Sequence, residues 1–235
     1  MSNSLKKAIF NWSGGKDSAF ALWKFLGQKE VHISTLLTSV SEKYQRISMH
    51  GVRKELLLEQ TASIGLPLEM VMIPDEPSMS DYDSLMAKKL TKLKKTGIEF
   101  SVFGDIFLED LKKYREQRLS EVGLKALFPI WKMDTREVVE QFIENGFKAV
   151  VVSANARLLD KSFAGRIIDK SFLADLPNNV DPCGENGEFH SFVFDGPVFS
   201  HPINFSIGET VLKEYKTSDK WDHAFWYCDL LPFAH

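Results

Sequence analysis

The chain has 235 residues, of which 44% are hydrophobic and 26% charged, an ordinary make-up for a soluble globular protein that argues against disorder. A net charge of −3 argues against a protein that holds nucleic acid by bulk electrostatics, leaving only a local patch for that role. Its two cysteines, Cys183 and Cys228, lie far apart without a C-x-x-C, which argues against a disulfide framework or a zinc site.

Residues 1–7 run straight into an apolar segment, so no room is expected for a signal peptide. No run of about 18 apolar residues occurs, and the expectation is a cytoplasmic protein with no membrane span. Residues 8–12 read as a buried first strand. Residues 19–26 carry apolar side chains at helical spacing, with Gly27 as the stop. Between them stand Ser13, Gly14, Gly15, Lys16, Asp17 and Ser18. A strand, a glycine-rich turn and a helix in this order build an anion site. Glycines let the backbone turn its N–H groups inward, and a helix N-terminus adds partial positive charge. Lys16 brings a full charge, and the two serines bring hydroxyl donors. Any three of these residues would be an ordinary capped turn, but all six in this context point to phosphate binding. The G-x-x-x-x-G-K-[ST] spacing of a Walker A loop is absent. Asp17 must either turn away from phosphate as a helix cap or hold a Mg²⁺ that the nucleotide brings.

Further along, residues 31–40 read as a second strand, and a helix through Leu56, Leu57 and Ala62 closes at Gly65. Residues 68–73 form a third strand ended by Pro74. Ser80 and Asp81 are expected to cap a lysine-rich helix that stops at Gly97. Its lysines, among them Lys88, Lys92 and Lys95, read as a solvated face. A fourth strand, 99–103, runs into Gly104 and Asp105. A helix over 108–122, a short strand at 126–131, a helix capped by Asp134 or Thr135 and a sixth strand at 147–152 complete the alternation. This order predicts an α/β fold: a parallel sheet with helices on both faces and ligands at the carboxyl ends of its strands. There Asp105 joins the ligand edge, while His50, before Gly51 at a helix start, could meet adenine or a phosphate. From residue 153 the pattern changes to short, aromatic, strand-like runs, so a smaller α+β region is expected over 153–235, after a domain at 1–152.

Residues 181–191 hold the second concentration of chemistry: Cys183, Glu185, Glu188 and His190, with Gly184 and Gly187 between them. A glycine-rich turn with solvated acids is the plain reading, and the spacing matches no metal motif. Cys183 has no second cysteine nearby to resolve a persulfide.

Ser13-Gly14-Gly15-Lys16-Asp17-Ser18 resembles the PP-loop of the ATP pyrophosphatases. The E-x-G-E pattern of Glu185-Asn186-Gly187-Glu188, within 183–191 and followed by Asp195-Gly196-Pro197, resembles the diphthine–ammonia ligase branch. Gly104-Asp105-Ile106 with Glu109 and Arg115, and the stretch 159–166, are weaker family-like features. The resemblance covers residue 7 to about 202, in a short single-unit form. Ser191 stands where threonine is commoner in that family, which keeps the hydroxyl. The resemblance implies a Rossmann-like fold and ATP-dependent amidation with ATP and Mg²⁺. A substrate carboxylate takes the adenylate, pyrophosphate leaves, and ammonia then displaces AMP. On this basis Ser13, Gly14, Gly15, Lys16, Asp17, Ser18, His50, Gly104 and Asp105 are expected to bind the nucleotide. Lys16 and Asp17 would act with Glu185, Glu188 and His190 in the chemistry. Asp17 is the expected Mg²⁺ contact. The acceptor is protein-borne diphthine, or another carboxylate in a bacterial source, and a homodimer is left open. An RNA-modifying PP-loop enzyme and a non-catalytic adenine-nucleotide-binding module are the alternatives; the acidic net charge disfavours nucleic acid.

Overall fold

The computed structural model describes residues 5–28, 31–48, 50–215 and 223–233. Expectations that touch residues 1–4 and Met49 lie outside them. Five strands, β1 (Lys6–Asn11), β2 (Val31–Ser41), β3 (Leu68–Ile73), β4 (Ile98–Val102) and β5 (Lys125–Leu127), form a parallel sheet in the order β3-β2-β1-β4-β5. Strand order reverses at β1, so the crevice beyond its carboxyl end opens between β2 and β4. That is where an open α/β sheet takes its ligand.

Alternation along the strands sends side chains to two cores. Ala8 and Phe10 of β1 and Leu36 of β2 pack with α1 (Lys16–Leu26), α2 (Lys54–Ile64) and α5 (Thr135–Glu144) on one face. Ile9 and Leu37 point the other way, against α3 (Met79–Lys94) and α4 (Glu109–Glu121). The helix ends follow local chemistry. Gly65 closes α2 in the left-handed conformation at φ 77°, and Asp134 caps α5 through Glu137 N at 3.0 Å. The lysine-rich helix α3 starts earlier than expected. Ser78, not Ser80, is its cap, and Asp81 bonds back to it in a reciprocal box.

The sixth strand departs from expectation. β6 (Lys148–Asn155) leaves the parallel sheet and lies inside a second, antiparallel one of order β7-β6-β9-β8, with β7 (Phe189–Asp195), β8 (Phe205–Tyr215) and β9 (His223–Pro232). Its Ala149–Ala154 run is buried on both faces, a composition that suits the middle of either sheet. The aromatic runs after residue 200 pair as the expected antiparallel ribbon. A short α6 (Lys170–Asp175) and a 3-10 turn capped by Asp160 lie between β6 and β7. The second sheet packs into the same core as α1 and α2, which sets β7 beside the turn that follows β1.

Candidate functional site

The turn between β1 and α1 is built for close approach. Gly14 has φ 78°, and a Cβ there would stand 2.8 Å from Gln60 Oε1. A Cβ on Gly15 would meet His50 Cε1 at 2.8 Å and the Ser191 carbonyl at 3.2 Å. The N-cap of α1 is Gly15, which has no side chain to close it, so Asp17 is not the cap that the sequence allowed. Lys16 N donates to Ser191 Oγ at 3.1 Å, and Gly15 N donates to Ser13 Oγ at 3.3 Å. The remaining first-turn N–H groups have no partner that a helix can supply. Lys16 is 3% exposed; its ammonium donates to both Asp17 oxygens, at 2.8 and 2.7 Å, and to the Cys183 carbonyl. Burial pulls its pKa down, but Asp17 and, more weakly, Glu185 outweigh that and hold it above the usual lysine value. Lys16 is a buried, permanent positive charge.

The acidic loop closes over this turn. Asp181 Oδ2 accepts from Cys183 N and Glu185 N, both at 3.0 Å, and its Oδ1 takes the Thr135 hydroxyl at 2.6 Å. The two expected glutamates take different places. Glu188, 4% exposed, accepts from Asp181 N, Asn186 N and Asn186 Nδ2 at 3.1, 2.9 and 3.0 Å, bracing the loop from inside. Glu185 reaches across to Ile106 N at 2.8 Å and lines the cavity. Burial, with the charge of Asp17 added, pushes its carboxyl up to about 7. Behind the loop Cys183 is buried, its thiol 3.1 Å from the Thr135 carbonyl, and burial pushes its pKa well up. It is a packed thiol that burial holds protonated.

His50 and His190 pack ring to ring at 4.8 Å between centroids. His50 Nδ1 lies 3.2 Å from the Ser191 carbonyl, which can only accept, so Nδ1 carries the proton and Nε2 keeps its lone pair. Burial lowers the pKa of both rings, to about 3 at His190, where the charges of His50 and Lys16 add to it. Both are neutral imidazoles near pH 7. On the other flank, a Cβ on Gly104 would lie 3.0 Å from the Asp17 carbonyl carbon and oxygen, so the end of β4 rests on the first turn of α1. Asp105 follows and pairs with Arg115 (Nε–Oδ2 2.6 Å, Nη2–Oδ1 3.2 Å). Burial raises the Asp105 carboxyl against the pull of that guanidinium. Ser13, Gly15, Lys16, Asp17 and Ser18 of the turn, with His50, His190, Gly104, Asp105, Arg115 and Glu185, border one cavity of about 1390 Å³.

Residues 6–126 match the diphthamide synthase N-terminal domain, and residues 134–231 match the diphthamide synthase C-terminal domain. The chain belongs to the diphthamide synthase family. Among its relatives, the diphthine–ammonia ligase of Danio rerio is 26% identical, covering 85% of this chain and 86% of that one. The diphthine–ammonia ligase of Mus musculus is 23% identical, covering 85% and 83% respectively. A solved structure described as a predicted subunit of tRNA methyltransferase from Methanocaldococcus jannaschii superposes with TM-score 0.41 at 15% identity, covering 62% of this chain and 80% of that one. The U34-tRNA thiolase NcsA of Methanococcus maripaludis superposes at 0.37 with 16% identity, over 60% of this chain and 57% of that one.

In this diphthamide synthase family member, the six turn residues, His50, Gly104, Asp105, Glu185 and His190 are brought to one place. Glu188 stands behind the wall. Residues outside the expected set complete the frame. Gln60, fully buried on α2, donates to the Gly14 and Val193 carbonyls at 3.0 and 2.6 Å and accepts from Trp12 Nε1 at 3.0 Å. Its position one helical turn after Leu56 and Leu57, on the apolar stripe of α2, is the trace it leaves in the sequence. Arg46 and Arg53 both pair with Asp229, at 2.7 and 2.6 Å, tying the turn before α2 to β9.

Among the described residues no three His, Cys, Asp or Glu side chains form a metal cage, and no helix is long and apolar enough to cross a membrane. Mg²⁺ shared with phosphates needs only one or two protein carboxylates. Asp17, beside the uncapped helix end, is of the right type and place to be one.

Proposed function

We propose that the chain is an ATP-dependent ligase that joins ammonia to a substrate carboxylate, with diphthine on a protein as the acceptor. The observation that carries this reading is the uncapped N-terminus of α1, with a buried charged lysine, facing a carboxylate whose pKa lies near neutrality. The β- and γ-phosphates sit on the open N–H groups of α1 and beside Lys16. The adenosine lies at the end of β2, where Thr38, Ser39, Ser41 and Ser48 offer uncharged hydrogen-bonding groups. The acceptor carboxylate oxygen attacks the α-phosphorus, the bond to the bridging oxygen of the β-phosphate breaks, and pyrophosphate leaves with its charge held by Lys16. A Mg²⁺ at Asp17 would neutralise further phosphate charge when bound. Ammonia then attacks the acyl carbon, AMP departs, and the surplus proton passes to Glu185, which titrates in the right range. His190 and His50 stay neutral and bound the site. In this division of labour residues 1–152 bind ATP and residues 153–235 supply the ammonia-handling loop.

Pyrophosphate and AMP release, measured with ATP, ammonium and diphthine-bearing elongation factor 2, tests the reading. Release of both products that requires the acceptor is expected. ATP binding without either product would leave a nucleotide-binding module and sink it. E185Q should lower amidation by about 100-fold while pyrophosphate exchange into ATP persists. E188Q, by loosening the loop brace, should depress both.

A further inference from the structure

We infer that the acceptor reaches the reacting phosphate through the arm of the cavity between α3 and α4, where Arg115 takes its carboxylate; this rests on the ligase reading. Among the described residues four cationic side chains line the cavity: Lys16, Arg46, Arg115 and Lys213. Lys16 is engaged by Asp17 and the Cys183 carbonyl. Arg46 Nη1 is spent on the Gly51 carbonyl and Asp229, both at 2.7 Å. Lys213 lies over the Tyr227 ring, 5.3 Å from its centroid, on the β8–β9 ribbon. Arg115 pairs with Asp105 through Nε and Nη2, which leaves Nη1 for a second carboxylate.

Its surroundings suit that task. The guanidinium carbon stands 4.4 Å from the Phe103 ring centroid, a stacked position that fixes the plane of the fork. Tyr82, Met86, Phe103, Leu108 and Leu111 give the arm an otherwise apolar lining, fit for an aliphatic stem ending in a charge. Burial raises the Tyr82 phenol against the opposing charge of Arg115, so its hydroxyl keeps the proton and remains a donor. The walls are bolted together at Asp83 of α3, which accepts from the Tyr114 hydroxyl and pairs with Arg118 at 3.2 Å, both on α4. The arm is therefore a built slot. It opens beside the first turn of α1, because Gly104 brings the end of β4 into contact with Asp17. A carboxylate held at Arg115 enters from the flank opposite the hydroxyl-rich end of β2, with the phosphates between the two.

The test uses two variants of the full chain, with diphthine-bearing elongation factor 2 as acceptor. R115M removes the fork, and L111F narrows the slot without touching the Asp105 pair. Acceptor KM, read from pyrophosphate release, should rise about 30-fold in R115M and at least 10-fold in L111F. The Kd for ATP, titrated without acceptor, should stay within twofold in L111F, which leaves Asp105 paired with Arg115. Unchanged acceptor KM in both variants overturns the inference. So does an ATP Kd weakened by the same factor in L111F, which would put the nucleotide in the arm. Wild-type pyrophosphate release that needs no acceptor overturns the ligase reading, and this inference falls with it.

Discussion

Gly104 has less room than its place at a strand end suggests. A methyl group there would press on the Asp17 carbonyl carbon and oxygen at 3.0 Å and on Ser18 Cα at 3.1 Å, all backbone atoms that cannot swing aside. G104A should push β4 off α1, costing about 1–3 kcal/mol and weakening ATP binding at least tenfold. Urea unfolding and ATP titration read the two effects. Glu185 sets a pH dependence of opposite sign to most acids. Its carboxyl titrates near 7 when folded against 4.5 for an unperturbed side chain, raised by burial and then by Asp17. Between those values the folded state holds a proton that the unfolded chain has lost, so stability falls as pH rises through about 7. E185Q does not titrate, keeps an oxygen for Ile106 N, and should therefore gain stability relative to wild type from pH 5 to pH 8. Paired urea curves at the two pH values check this; equal differences would show that Glu185 titrates normally.

At the scale of elements, α2 does more than cover the sheet. Through Gln60 it touches Trp12 just past β1, the turn at Gly14 and β7 at Val193. Q60L would take a partner from the Val193 carbonyl and the Trp12 indole N–H, while the Gly14 carbonyl keeps Val193 N at 2.9 Å, a loss of about 1–3 kcal/mol in urea unfolding. Q60E would set an oxygen against two carbonyls and should abolish ATP binding, whereas a freely placed surface glutamine would tolerate it. These contacts also mark where the sequence was readable. The β1–turn–α1 unit was legible because its residue types have one job at that spacing, and α5 because Asp134 precedes an apolar stripe. Gln60 stands on the apolar stripe of α2, which marks it as buried, but no local pattern names its partners in the turn, Trp12 and β7. β6 was misplaced because a strand buried on both faces reads alike in either sheet. Glu185 and Glu188 were indistinguishable at three residues' separation. What parts them is fold-dependent: one carboxylate turns into its own loop, and the other crosses to Ile106.

The whole molecule depends on seams between its two sheets. Asp229 on β9 is held by Arg46 and Arg53, and although burial raises its carboxyl, those hydrogen bonds and charges bring it down to about 2. Its contribution is present above the ordinary 3.8 and is lost as pH falls through 2. D229N should cost about 1–2 kcal/mol at pH 7, allowing for partial exposure of both arginines, and the gap should narrow by pH 3 in urea unfolding. The cavity as a whole was not legible, because its walls come from segments whose pairing no local pattern announces.

The second seam is the bond from Lys16 N to Ser191 Oγ, which spans 175 positions of the chain. At synthesis rates of about 5–20 residues per second, roughly 10–35 s pass between the emergence of Lys16 and that of Ser191. During that interval the nascent first sheet carries the β1–α1 turn without the hydroxyl that later accepts from Lys16 N. On the ligase reading, the turn therefore gains its full nucleotide site only after Ser191 has followed it out of the ribosome and closed over it.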